Sequence, residues 1–377
     1  MELIDQNALH DSSELFTLNP SLSCQVDEGK VGGHKTTGFD FRILGYGAAM
    51  PPRCTGDCMN PVSETVLKRL ERLHESVVRV IRGKAEIVDA LIAALLARGH
   101  VLLEDVPGVG KTTLAQALAR SLDLDFHRIQ FTSDTLPSDI IGISVYRQDT
   151  GEFEFMQGPL ISNVVLADEI NRAAPRTQSA LLEAMSEHSV TVEKTRHRLI
   201  EPFFVVATQN PVESTGTYPL PESQLDRFLM RLSMGYPGRA EERELLRASG
   251  AEPELEQLEP VIDAGEVIEM QNLVPEVHVS GVLLDYLLEV VEATRAHASL
   301  ALGVSTRGCL AWQRSAQALA LVRGRAFVLP DDLQDTAETV LAHRLLHADP
   351  LVGDGWERSR SERAMIRAII ESIPVPR

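Results

Sequence analysis

Apolar residues between positions 63 and 96 recur at three- and four-residue intervals: Val66, Leu67, Leu70 and Leu73, then Val77, Val78 and Ile81, then Ile87, Val88, Leu91, Ile92 and Leu95. That spacing places them along one stripe of a helix, and Gly83 divides the stripe into two helices. Further on, the texture changes. Strand candidates at 101–104, 127–131, 163–167 and 203–207 alternate with helical patterns near 112–121, 176–187 and 222–230. Runs such as Val164-Val165-Leu166-Ala167 and Phe203-Phe204-Val205-Val206 leave no polar face, which suits a parallel sheet covered on both sides. Segments at 143–147, 152–155, 189–193 and 196–200 read as hairpins inserted between the core elements.

After Pro237-Gly238, helical patterns dominate, at 239–248, 281–297, 306–323 and 330–346, while 250–265, with Pro253, Pro260 and several acids, reads as a linker. The expected fold class is therefore α/β: a parallel sheet between helices over 59–238, a linker or connecting helix over 239–272, and a smaller all-helical domain over 273–377. Residues 1–58 lack sustained periodicity and are rich in Ser, Gly, Asn and Asp, so disorder is expected there. Ordered sequence begins just after Met59, and the first 58 residues read as an extension or as sequence upstream of the true start.

Composition narrows the choice of function. A chain of 377 residues with a net charge of −18 does not offer a broad surface to nucleic acid or anionic membrane. No apolar run approaches the ~20 residues of a membrane span, and the N-terminus lacks a secretory signal, so a cytoplasmic protein is expected. Three of the four cysteines, Cys24, Cys54 and Cys58, fall in the N-terminal stretch, and Cys309 stands alone in a helical pattern. Cys54 and Cys58 could chelate a metal with His34 or His10, but no second pair follows, and free thiols are the simpler reading.

The chemistry begins at Asp105-Val106-Pro107-Gly108-Val109-Gly110-Lys111-Thr112-Thr113, between an apolar strand and a helical pattern. Strand, glycine-rich turn and helix are the context of a phosphate-binding loop. Its glycines let backbone N–H groups curl around an anion at a helix N-terminus. Lys111 would reach the β- and γ-phosphates of a nucleotide, and the Thr112 hydroxyl would hold Mg²⁺. The usual formula wants Gly where this chain has Asp105.

Fifty-three residues after Lys111 begins Val164-Val165-Leu166-Ala167-Asp168-Glu169. A buried strand ending in two acids would aim Asp168 at the Mg²⁺ shell and Glu169 at a water facing the γ-phosphate. Asn210, after the strand Phe204-Val205-Val206-Ala207, could hold that water, although Asn-Pro by itself also starts turns. Arg227 lies past all these strands and is a candidate finger for a neighbouring subunit's γ-phosphate; a salt bridge with Asp226 or Glu222 is the other reading. Arg307 stands in the first turn of a helix capped by Ser305 or Thr306, where a cation is mildly unfavourable unless a phosphate meets it. The turn Val80-Ile81-Arg82-Gly83 could pack against an adenine base, and equally could be a plain helix end.

These pieces, in this order, resemble the MoxR family of AAA+ ATPases over about residues 64–347, through GHVLLEDVPGVGKTTLAQALA (99–119), RIQFTSDTLPSDIIG (128–142), GEFEFMQGPLISNVVLADEINRAAPRTQSALLEAMSEH (151–188), EPFFVVATQNPVESTGTYPLPESQLDRFLM (201–230) and VSTRGCLAWQRSAQALALVRGRAFVLPDDL (304–333). The resemblance implies a P-loop core with a helical lid, ATP and Mg²⁺ as ligands, and hydrolysis coupled to chaperone-like work on a client protein, insertion of a metal or cofactor included. It casts Gly108, Gly110, Lys111, Thr112 and Thr113 as Walker A, Asp168 and Glu169 as Walker B, Asn210 as sensor 1, Arg227 as the arginine finger and Arg307 as sensor 2. Arg172 matches a further charge sensor, and segments 143–158 and 189–200 match insertions that face a pore or substrate. It also implies a ring, usually a hexamer, and a von Willebrand factor A-domain partner. A DNA-associated AAA+ motor is the alternative, with Lys194, Arg196, His197 and Arg198 as its basic surface.

Overall fold

The computed structural model describes residues 62–106, 108–210, 216–247, 252–349 and 356–376. The expected disorder over 1–58, the thiols Cys24, Cys54 and Cys58, and Pro107 lie outside the described residues.

Two helices open the chain, α1 (Glu64–Val80) and α2 (Ala85–Leu96). Ser63 caps α1 by accepting the Val66 N–H, and Val66, Leu70, Leu73, Val77 and Val80 form its buried stripe. Gly83, at φ +70°, turns the chain between the two helices. The α/β layer follows as β1 (Val101–Glu104), α3 (Lys111–Ser121), β2 (Phe126–Gln130), α4 (Pro137–Ile141), the hairpin β3 (Gly142–Arg147) and β4 (Glu152–Gln157), β5 (Val164–Asp168), α5 (Pro175–Glu187), the hairpin β6 (Ser189–Val192) and β7 (Thr195–Arg198), β8 (Phe204–Gln209), α6 (Glu222–Leu225) and β9 (Met230–Leu232). The lid then runs through α7 (Arg239–Arg247), α8 (Glu252–Glu256), α9 (Ala264–Leu273), α10 (Gly281–Ala296), β10 (Leu300–Leu302), α11 (Thr306–Val322), α12 (Pro330–Leu341), β11 (Leu346–His347) and α13 (Trp356–Ser372).

Five parallel strands form the sheet in the order β2-β5-β8-β1-β9. Side chains alternate across it. Val101, Leu103, Val164, Leu166, Phe204 and Val206 join α1, α2 and α3 in one core, which continues into the lid. Leu102, Val165, Ala167, Val205 and Ala207 pack with α5 on the other face. Both expected hairpins form, and Phe155 of β4 stacks on His197 of β7 with ring centroids 4.0 Å apart.

Four expectations need correction. The helix expected over 222–230 stops at Leu225, and Met230–Leu232 pairs with β1 as the edge strand β9. Adjacent Phe228 and Leu229 enter opposite cores, a period of two that Leu225 and the apolar cluster obscured. The helix expected over 330–346 ends at Leu341, where a 3₁₀ turn, Ala342–Arg344, redirects the chain into β11. The linker at 250–265 holds α8 and the start of α9, the latter fixed by the reciprocal cap of Asp263 and Glu266. The C-terminal helix α13 was not anticipated, because two of its buried positions are Ser359 and Glu362.

His100, just before β1, fixes the sheet to α5. Its Nδ1 accepts the Val205 N–H at 3.1 Å, and its Nε2 donates to the Met185 carbonyl at 3.2 Å. The neutral ring satisfies both, and burial lowers its pKa from 6.5 to about 4. His343 is also held neutral, by burial and then by the charges of Arg344 and Arg231. Below pH 6.5 the unfolded chain takes up a proton at His100 that the folded chain refuses until about pH 4. Stability present above that window is therefore lost as pH falls through it, by roughly 3 kcal/mol from this ring. Thermal midpoints should decline between those pH values, and His100→Asn should flatten the decline; an unaltered slope would place the proton uptake elsewhere.

Candidate nucleotide-binding site

The carboxyl ends of β1, β5 and β8 carry the polar residues of an otherwise apolar sheet. At the end of β1 the chain enters the glycine-rich loop. Gly108 has φ +81° and Gly110 has φ +95°, conformations that favour glycine, and a Cβ at Gly108 would meet no neighbour, so conformation and not space selects the residue there. Gly110 caps α3, whose first turn receives no side-chain cap. Lys111 opens that helix, followed by partly buried Thr112 and Thr113, while Val109 is buried beneath the loop.

Asp105 is not a failed glycine. Its buried carboxylate accepts the N–H groups of Met234 and Gly235 and the Ser233 hydroxyl, tying the loop's entrance to the turn after β9. Its backbone carbonyl accepts the Lys111 ammonium at 2.9 Å. Burial lowers the Lys111 pKa, and the charges of Asp105, Asp168 and Glu169 push it back up, so all three acids lie within electrostatic reach of the ammonium.

At the end of β5, Asp168 is buried with both oxygens engaged. Oδ1 accepts the Thr208 hydroxyl at 2.6 Å, and Oδ2 accepts Arg128 Nη2 at 2.6 Å and Nε at 3.2 Å. Glu169 adopts φ +58°, a left-handed conformation uncommon outside glycine, which turns its carboxylate away from the strand. That carboxylate accepts Gln130 Nε2 at 3.0 Å and lies 3.1 Å from Arg172 Nε. Thr208 Oγ1 also receives the Glu169 N–H at 2.9 Å, so one buried hydroxyl orients both acids. Asn210 is buried beyond β8, and its carbonyl accepts Asn171 Nδ2 at 3.4 Å.

Sequence reasoning missed Thr208, Arg128 and Gln130. Thr208 had a signal, as a hydroxyl inside an apolar strand. Arg128 and Gln130 alternate along β2, and only the β2–β5 pairing brings them beside the acids.

A second network sits below the loop. Glu104 Oε1 accepts Gln209 Nε2 at 2.8 Å and Oε2 accepts the Ser359 hydroxyl at 2.6 Å, while Arg231 bonds Glu362 at 2.7 Å and stands 3.8 Å from Glu104. Helix α13 thereby meets the ends of β1, β8 and β9.

The two outlying arginines lie apart from this cluster's hydrogen bonds. Arg227 Nη1 donates to the Leu182 carbonyl and the Ser186 hydroxyl, each at 2.7 Å, and the residue stays exposed. Neither acid considered as its partner is bonded to it: Asp226 bonds Arg344, and Glu222 bonds Arg358. Arg307, on α11 behind its Ser305 cap, is 78% exposed and lies 3.6 Å from Asp226. Gly83 borders Glu241 of α7.

The donor set suits Mg²⁺. Thr112 and Asp168 offer hard oxygens, and among the described residues no group of three or more His, Cys, Asp or Glu forms a cation cage of its own. Mg²⁺ commonly takes one or two protein oxygens and completes its shell with phosphate and water.

Comparison with known proteins agrees with this geometry. Residues 100–230 match the ATPase family associated with various cellular activities (AAA), and residues 292–366 match the AAA lid domain. The chain is 51% identical to the uncharacterized protein YeaC of Bacillus subtilis, over 81% of this chain and 95% of that one. It is 41% identical to Chaperone MoxR1 of Mycobacterium tuberculosis, over 81% of this chain and 82% of that one. The chain belongs to the MoxR family of AAA+ ATPases. A crystal structure from Cytophaga hutchinsonii superposes on it with a TM-score of 0.74 at 37% identity, covering 83% of this chain and 96% of that one. As a MoxR-family protein it has the expected parallel sheet flanked by helices and the helical lid, and among its described residues no helix is long and apolar enough to cross a membrane.

Replacing Asp105 with Ala strands three donors at the turn after β9. A loss of about 2–4 kcal/mol is expected from the buried groups left unpaired. Urea unfolding should show a lower midpoint with an unchanged slope.

Proposed function

We propose that this MoxR-family protein binds ATP with Mg²⁺, hydrolyses it, and uses the free energy for chaperone-like remodelling or maturation of a client protein, insertion of a metal or cofactor included. One observation carries the reading: the loop that leaves β1, with Gly108 and Gly110 at positive φ and Lys111 heading a helix without a side-chain cap, stands at the same carboxyl end of the parallel sheet as Asp168 and Glu169, which Thr208 orients. The loop from Pro107 to Thr113 would cradle the phosphates, with Lys111 neutralising them, and the turn at Gly83 would border the adenine. Thr112 and Asp168 would hold Mg²⁺, Asp168 giving up its bonds to Arg128 to do so, and the ion when bound would neutralise charge on the phosphate oxygens.

Glu169 would take a proton from a water that Asn210 helps to hold. The water oxygen would then bond the γ-phosphorus as the bond to the β-phosphate oxygen breaks, leaving ADP and inorganic phosphate. Glu169 would first exchange Gln130 and Arg172 for that water. Arg227, exposed and held on α5, suits a finger acting on a neighbouring copy, and Arg307, loosely placed near Asp226, suits a lid sensor. A head-to-tail ring, a hexamer by family resemblance, gives such a finger its target. A von Willebrand factor A-domain partner and a cytoplasmic location belong to the same proposal. The DNA-motor alternative has weaker support, since Arg196 is engaged by Glu187 and Ser189 and the net charge is −18.

Lys111→Ala should abolish nucleotide binding measured by calorimetry, and tight ATP binding by that variant would refute the loop assignment. Glu169→Gln should keep binding while turnover falls by about 10²-fold or more. Mass identification of proteins retained by the Glu169→Gln form tests the client reading, and retention that ignores ATP would count against it.

A further inference from the structure

Arg344 occupies the 3₁₀ turn after α12 with its side chain 3% exposed. A buried guanidinium loses several kcal/mol of hydration unless its donors are met. Here four donor interactions are made. Nε donates to Asp226 Oδ1 at 2.8 Å, Nη2 to the Phe228 carbonyl at 2.8 Å, and Nη1 to the carbonyls of Leu229, at 3.2 Å, and Val340. His343 Nε2 also donates to the Phe228 carbonyl, at 3.1 Å. The lid thus grips residues 226, 228 and 229, and the residue inside that grip is Arg227, whose side chain leaves for the surface of α5.

An apolar side chain would fill the same space without the burial cost, so a planar fork in this place contributes direction. Three of its four bonds fix oxygens that flank Arg227, at Asp226, Phe228 and Leu229; the fourth, to the Val340 carbonyl, anchors the fork to α12. The fork belongs to the lid, whereas the segment it holds joins α6 to the core strand β9. A shift of the lid therefore pulls on the backbone to either side of Arg227, whose guanidinium is bonded to α5.

We propose that Arg344 is a positioning residue for Arg227: through Asp226 and the backbone at 228 and 229, the lid of one subunit sets where its finger stands at the next subunit's nucleotide. This rests on the reading of Arg227 given above. It adds that hydrolysis in one subunit answers to the lid of its neighbour.

The test compares Arg344→Lys, which keeps the charge and loses the fork, with Asp226→Asn and Arg227→Ala. ATP turnover, binding of a fluorescent ATP analogue, and mixing with Lys111→Ala subunits are measured for each. Arg344→Lys should lose on the order of 10²-fold in kcat, as a small displacement of a catalytic group does, with analogue affinity unchanged. Mixing it with Lys111→Ala subunits should raise turnover above the sum of the two alone, because one supplies an intact loop and the other a well-placed Arg227. The inference is overturned if Arg344→Lys turns over at the wild-type rate while Arg227→Ala does not, or if mixing restores the Arg227 variant but not the Arg344 variant. Should thermal melting show Arg344→Lys unfolded, Asp226→Asn decides by the same two readouts. Wild-type turnover by Arg227→Ala would instead remove the finger reading, and this inference with it, by a separate arm.

Discussion

A strand buried on both faces carries charge only where it leaves the core or where a buried counter-charge meets it, and three parallel strands leave this core side by side. β1, β5 and β8 are apolar until their carboxyl ends, where Glu104, Asp168 and Gln209 appear in register with one another's neighbours. The parallel ladder therefore gathers at one edge what the sequence spreads over more than a hundred residues. The glycine-rich loop and α3 start from that edge, so Lys111 and the acids at the end of β5 come to the same edge as a consequence of sheet direction.

Each acid at this edge is held by a specific neighbour. Thr208 orients Asp168 and the backbone of Glu169, and Asp105 fastens the loop's entrance to the turn at 233–235. Glu104 is shared between Gln209 and Ser359. Such groups cost more to leave unpaired than they return when paired, so they set geometry more than they add stability.

Much of this was legible before the fold was known. Sequence pattern located α1, α2 and four of the five strands of the sheet, because those elements are set by local spacing and by burial that neighbours in sequence share. The loop and the pair Asp168-Glu169 were legible because glycine conformation and strand-end charge are local properties. What escaped depends on partners far along the chain. Arg231 disguised β9 as something other than a core strand, and it is tolerated there because Glu362 lies against it, 131 residues later. The same pairing hid α13. Arg128 reads as an ordinary surface cation until β2 is laid beside β5. Asp105 looked like a departure from a formula, and its reason lies in a turn that the formula does not contain.

The meeting of α13 with the end of β1 and with β9 makes that helix part of the support beneath the candidate site. Were that helix trimmed away, Ser359 and Glu362 would go with it, and Glu104 and Arg231 would face each other as under-coordinated ions directly beneath the loop. Shortening the tail is thus damage delivered 255 positions upstream, at the strand ends that carry the candidate site.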